Sequence, residues 1–230
     1  MMATPGDLKD FALGFSLAEG IVAQPEDIEA FDIVVTEDGV ELRMDLNHVQ
    51  SESFVGRRRH ITGPGGCGLC GMESLAEAIR PAAHIESNAI FTQAEIQAAL
   101  AALPSAQTLN LATRAVHAAA FWTPERGLIA IREDVGRHNA LDKLAGALAW
   151  AGLSAARGVV LLSSRVSVEM VQKAATMGAP VIVAVSAPTA LAVRVADAAG
   201  LTLIGVARAD SFEVFTHPHR ITTGAVRHVA

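Results

Sequence analysis

Apolar positions along this chain follow a helical rhythm first and then a regular alternation of short β-branched runs with amphipathic stretches. Residues 7–19 place Leu8, Phe11, Ala12, Phe15 and Ala18 on one helical stripe that stops at Gly20, and residues 31–35 and 40–46 flank Glu37-Asp38-Gly39 as a hairpin. Residues 72–79 read as a helix closed by Pro81, and 92–103 as another with Thr92 as its cap. From about Leu109 the spacing predicts strands at 116–122 and 128–132 around a turn at 123–127, then a helix at 139–151. Strands at 159–163, 181–186 and 201–207 alternate with helices at 168–177 and 189–199. Short strands separated by helices of this length imply right-handed crossovers and a parallel sheet covered on both faces. The expected architecture is a three-layer α/β core over residues 107–230 with a smaller α/β subdomain over residues 1–106.

Composition narrows the class. With 230 residues and 51% apolar content the chain can bury a substantial core. Charged or small polar residues break every apolar run before it reaches membrane-spanning length, and the start lacks a basic segment followed by an apolar signal core. The cytoplasm is the expected compartment, with no membrane partner. A net charge of −6 argues against a nucleic-acid polymer as partner, so any nucleotide bound is expected to be a small one.

Both of the chain's 2 cysteines fall in one stretch, Thr62-Gly63-Pro64-Gly65-Gly66-Cys67-Gly68-Leu69-Cys70-Gly71. A Cys-x-x-Cys pair among glycines suits a mobile, approachable loop in which two sulfurs can share a metal ion, a disulfide or a sulfur atom in transit. The loop precedes a predicted helix start and follows Arg57-Arg58-Arg59, and both features lower a thiol's pKa. The three arginines also read as a solvated charge run. A zinc site needs about four ligands; His60 and His84 would have to complete it, and their spacing does not demand that, so no metal is expected. A thioredoxin-like redox pair would need a strand-loop-helix order that this loop lacks.

Two further constellations lie at predicted strand ends, where ligands of open α/β sheets gather. Glu133-Asp134-Val135-Gly136-Arg137-His138 leaves a strand and enters a helix, which can bring a carboxylate, a cation and an imidazole together. His138 is a candidate to orient a ligand or move a proton; alternatively Asp134 pairs with Arg137 to fix the turn and His138 caps it. Ser163, Arg165, Ser167, Ser186, Thr189 and Arg208 form a rim of hydroxyls, cations and helix starts suited to a diphosphate. On the other reading Ser167 and Thr189 cap helices and Arg165 pairs with Glu169. His117, among alanines on a predicted strand, reads by itself as a hydrogen-bonded core histidine.

Four segments carry a resemblance: Gly66-Cys67-Gly68-Leu69-Cys70-Gly71, the stretch from Glu133 to Lys143, Glu169-Met170-Val171-Gln172-Lys173-Ala174, and Ala184-Val185-Ser186-Ala187-Pro188-Thr189. In this order and spacing they resemble the formate dehydrogenase accessory sulfurtransferases (FdhD), and the likeness runs from Thr4 almost to the end. The resemblance implies a sulfur carrier that takes sulfur from a cysteine desulfurase as a cysteine persulfide. It then passes it to the bis-guanine-dinucleotide molybdenum cofactor of apo formate dehydrogenase. It also implies a core similar to the cytidine-deaminase fold without that fold's zinc. Cys67 would carry the persulfide and Cys70 accept or relay sulfur. His117, Arg137 and His138 would face the cofactor, and Val206, Ala207, Arg208, Ala209, Asp210 and Ser211 would line its guanine nucleotide moiety. A homodimer is expected. The alternative from another class is a noncatalytic escort for the cofactor or for the apoenzyme. The chain departs from the family pattern at Thr113-Arg114-Ala115, where Thr-Gly-Gly is usual, at Ser164, which replaces a common glycine, and at Val206 and residues 209–211.

Overall fold

The computed structural model describes residues 1–47 and 82–222. The cysteine loop with Cys67 and Cys70, the Arg57-Arg58-Arg59 run, His60 and the helix expected at 72–79 lie outside the described residues. Helix α1 (Leu8–Ala18) leads to a hairpin of β1 (Ile28–Thr36) and β2 (Gly39–Leu46), paired from Thr36↔Gly39 to Ala30↔Asp45 and, after a register shift, at Ile28↔Leu46. After β3 (Phe91–Thr92), α2 (Gln93–Ala106) starts on a capping box: the Thr92 hydroxyl accepts the Glu95 amide at 3.2 Å while the Thr92 amide donates to Glu95 Oε2 at 2.7 Å. The later elements are α3 (Thr108–Thr113), β4 (His117–Thr123), β5 (Gly127–Asp134), α4 (Arg137–Trp150), β6 (Val159–Leu162) and α5 (Val168–Thr176). They are followed by β7 (Val181–Ala184), α6 (Ala190–Ala198), β8 (Thr202–Gly205), β9 (Glu213–Val214) and β10 (Ile221–Thr222).

Six strands form one sheet in the order β5-β4-β6-β7-β8-β9, and β10 pairs with β3. The sheet is mixed, not parallel throughout. Strands β6, β7 and β8 run parallel, as the alternation predicted, but β4 is antiparallel to both β5 and β6, and β9 is antiparallel to β8. The reason is local. The turn at 124–126 is too short for a crossover, so β5 must run back alongside β4. The crossover through α4 then returns to β4's other edge, which leaves β4 between two strands that share a direction.

The three layers follow from alternation along the strands. Ala119, Phe121, Val160, Leu162, Ile182, Ala184 and Leu203 face α4, α5 and α6, where Leu141, Leu144, Met170, Val171 and Ala196 meet them. Their neighbours Ala118, Ala120, Trp122, Val159, Leu161, Val183 and Ile204 face Phe91 and the Ile96, Leu100 and Leu103 stripe of α2. Helix α1 lies outside α4, and the two cross backbone to backbone. A Cβ on Gly14 would overlap the Asp142 carbonyl, and one on Gly146 would overlap that of Asp10. Segment 1–106 therefore lends α1 and α2 to the layers built by segment 107–230.

Candidate functional site

One edge of the sheet collects the strand ends. His117 opens β4 opposite Asp134, the last residue of β5, while Ala119 pairs with Leu162 and Leu162 with Ala184. Ser163 continues the pairing past β6: its amide donates to the Ala118 carbonyl at 3.0 Å, and its hydroxyl accepts the Ala118 amide at 2.8 Å. At the next strand the Val206 amide donates to the Ser186 carbonyl at 3.2 Å, and Val166 bridges to Pro188. His117, Ser163, Arg165, Ser186 and Val206 thus share one edge with the amino termini of α4 and α5.

The segment from Glu133 to Lys143 divides into residues that hold the edge and residues that face it. Asp134 does not pair with Arg137. It forms a fully buried ion pair with Lys143 at 2.7 Å, accepts the Gly136 amide and Asn139 Nδ2 at 2.8 and 3.0 Å, and accepts the Thr4 amide at 2.9 Å. Lys143 Nζ also donates to the Thr4 carbonyl at 2.9 Å, and Asn139 Nδ2 to that of Met2 at 2.9 Å. Burial drives this arrangement, because an ammonium in the interior needs both a counter-charge and hydrogen-bond acceptors. Glu133 caps α3, accepting the Leu109 and Asn110 amides at 2.7 and 2.8 Å. Arg132, near the end of β5, is spent on α1, donating to Asp10 Oδ2 at 2.7 Å.

Arg137 and His138 start α4 and remain for the site. Gly136, the residue before them, has no side chain to cap the helix, and a Cβ there would crowd Asn139. Burial lowers the His117 pKa, and the nearby Arg137 and Arg165 guanidinium groups lower it further. His117 is therefore neutral at pH 7 beside two cations. Arg165 is exposed, and it is not paired with Glu169.

Glu169 faces His138 instead. His138 Nε2 stands 3.2 Å from Ser167 Oγ and 3.8 Å from Glu169 Oε2, with the His138 and Glu169 side chains 18% and 13% exposed. Ser167 does not cap α5 through its side chain; its hydroxyl serves His138. Burial pushes the Glu169 carboxyl up, but the His138 ring, the Ser167 hydroxyl and its own amide pull it down to about 2. One turn further along both helices Lys173 donates to Asp142 at 2.6 Å, and burial raises the Asp142 pKa against that pairing. Two rungs, His138–Glu169 and Asp142–Lys173, thus tie α4 to α5. Sequence reasoning gave Asp142 and Lys173 no role and offered Glu169 only as a partner for Arg165. The signal was the matching four-residue spacing on the two helices.

The 206–211 loop leaves the sheet through a strained residue. Val206 has φ 51, a left-handed conformation rare for a β-branched side chain. Arg208 is exposed at the loop, but its NH1 donates to the carbonyls of Val185 at 2.6 Å and Ala207 at 2.9 Å, so the guanidinium also pins the loop to the end of β7. Thr189 caps α6, accepting the Ala192 amide at 3.2 Å. No group of three or more His, Cys, Asp or Glu side chains suited to a metal ion occurs among the described residues. Nor is any helix among them long and apolar enough to cross a membrane.

Comparison with known proteins places this geometry. Residues 1–222 match the FdhD/NarQ family. The sulfur carrier protein FdhD of Agrobacterium fabrum is 52% identical over 222 residues, covering 96% of this chain and 82% of the relative. That of Cupriavidus necator is 50% identical, covering 96% and 77%. The crystal structure of a protein from Desulfotalea psychrophila, described as a formate dehydrogenase accessory protein, superposes with a TM-score of 0.72 at 26% identity over 95% of this chain and 82% of that one.

Proposed function

Because this chain belongs to the FdhD/NarQ family, we propose that it carries sulfur for formate dehydrogenase and delivers it to the guanylated molybdenum cofactor bound at the strand-end edge. The observation that supports this reading best is the cationic edge itself. His117, Arg137 and Arg165 sit together with the open start of α4, and among the described residues no carboxylate pairs with them, since Asp134 and Glu133 are committed elsewhere. Such an edge attracts the phosphates of a dinucleotide. The 206–211 loop, which the family pattern assigns to the nucleotide, borders the same edge. The mixed sheet order β5-β4-β6-β7-β8 supports reading the core as similar to the cytidine-deaminase fold.

The sulfur enters through the thiols. The Cys67 thiolate attacks the outer sulfur of a desulfurase persulfide. A new S–S bond forms on Cys67, the old one breaks, and the desulfurase cysteine leaves as thiolate. Cys70 accepts or relays that sulfur. Incubation with a cysteine desulfurase and cysteine should add one or more reductant-labile sulfur masses to the chain, and Cys67→Ala should lose productive transfer. An unmodified wild-type chain beside a working desulfurase would favour the escort reading. At the edge, calorimetry should show guanosine diphosphate binding more tightly than guanosine, and Arg165→Gln should narrow that difference without blocking sulfur loading. Equal affinity for the two ligands would remove the phosphate assignment.

A further inference from the structure

Among the described residues only two buried side-chain polar atoms lack a hydrogen-bond partner, Arg137 Nε and Glu169 Oε2. One belongs to the residue before His138, and the other lies 3.8 Å from its ring. A buried carboxylate oxygen with no hydrogen bond is costly unless a counter-charge stands close. Here the choice of counter-charge is narrow. On α4 the charged group near the ring is Asp142, with Lys173 of α5 beside it, and on α5 it is Glu169, while Arg137 and Arg165 stand near His117. Lys173 and Asp142 are committed to each other at 2.6 Å. Glu169 is the carboxylate that stands within ion-pair distance of His138. For the other ring nitrogen, Nδ1, no hydrogen bond to a described residue is present.

We propose that Glu169 is a positioning residue for His138: with Ser167 it holds the Nε2 edge of the imidazole against the start of α5, so that Nδ1 is the nitrogen that exchanges a proton with the ligand at the strand-end edge. The ligand part of this statement rests on the sulfur-carrier reading; the ring arrangement does not. The carboxylate gives the imidazolium a fixed counter-charge, the Ser167 hydroxyl fixes the ring plane, and the two together select one tautomer of the neutral ring. His117, neutral and flanked by Arg137 and Arg165, stands in the opposite electrostatic setting on the same edge. Two imidazoles held in opposed fields suit a site that must both donate and accept protons.

Long-range proton–nitrogen NMR on the full chain labelled with nitrogen-15 histidine resolves both ring nitrogens of His138, which His138→Gln identifies by loss of the signal. The neutral ring should be a single tautomer with its proton on Nε2. Glu169→Gln keeps the size but puts a neutral amide in place of the carboxylate, and should mix the two tautomers of the neutral ring. Glu169→Asp should restore part of the preference, and Ser167→Ala should mix the tautomers as well. Mixed tautomers in the wild type, or a tautomer that Glu169→Gln leaves unchanged, would overturn the assignment. If Glu169→Gln does not fold, the wild-type tautomer and Ser167→Ala decide it alone. A chain with the expected His138 behaviour that takes up no persulfide keeps this assignment and sinks the sulfur-carrier reading instead.

Discussion

Arg114 closes α3 with φ 56, a left-handed angle at the position where glycine is the usual family residue. The departure visible in the sequence therefore has a physical cost. A side chain with a Cβ is asked for a conformation that glycine adopts freely, while the Arg114 amide still donates to the Asn110 carbonyl at 2.8 Å to finish the helix. Arg114→Gly should accordingly stabilise the chain by roughly 0.5–1 kcal/mol despite glycine's more flexible unfolded state. Denaturant unfolding measures this directly, and a loss of stability would mean that the arginine side chain contributes more than its backbone strain removes. Val206 carries the same kind of strain, but in the loop assigned to the ligand, where relief of strain and loss of preorganisation pull in opposite directions.

At the scale of elements, the crossing of α1 over α4 depends on Gly14 and Gly146, whose missing Cβ atoms let two helix backbones touch. Gly146→Ala should force the helices apart and cost at least about 1–3 kcal/mol, more than the modest gain in helix propensity can offset. A thermal melt checks it, and a neutral or stabilising result would mean that α1 can slide without loss. This contact shows where sequence reasoning stops. The stripe from Leu8 to Ala18 was legible because one face of a helix against a core repeats every 3.6 residues, and the strands from Val159 onward were legible because their β-branched runs are short and bounded. Helix α3 was not legible. It has no capping side chain of its own at Gln107, and it is held by Glu133, which the fold brings from 23 residues away. The pairing of Asp134 was misread for the same reason. Arg137 is near it in sequence, but the carboxylate pairs with Lys143, about 1.7 helical turns beyond Arg137, while also accepting the Gly136 amide. The site was legible as a set of strand-end residues, whereas the service of Ser167 and Glu169 to His138 depends on how two helices lie together.

For the whole molecule, the buried pair of Asp134 and Lys143 joins the start of the chain to its middle, since Thr4 bonds to both partners across separations of 130 and 139 residues. Lys143→Met would leave the Asp134 carboxylate buried without its counter-charge and should cost about 3–5 kcal/mol. The loss should have a location as well as a size. The amides of Thr4 and Val135, which donate to Asp134 Oδ2 and to the Thr4 hydroxyl, should exchange hydrogen faster than those of the β6–β8 core. Uniform acceleration across the sheet would show that the pair supports the whole core and not this junction. A variant that unfolds outright leaves the same question to the milder Thr4→Ala, which removes only the hydroxyl contact.

That junction also bears on the order in which the chain assembles during synthesis. Met2 and Thr4 bond to partners that come more than a hundred positions later, so during synthesis they must wait, undocked, until the turn at Gly136 and the first two turns of α4 have emerged. Helix α1 waits with them, because Gly14 seats its backbone against that of α4. The hairpin of β1 and β2 and the capped start of α2 can form from neighbouring residues alone, whereas the strand-end edge cannot be complete until Lys143 has closed over Asp134. A truncated translation product ending before Lys143 would therefore present its amino-terminal helix to whatever apolar surface is nearest.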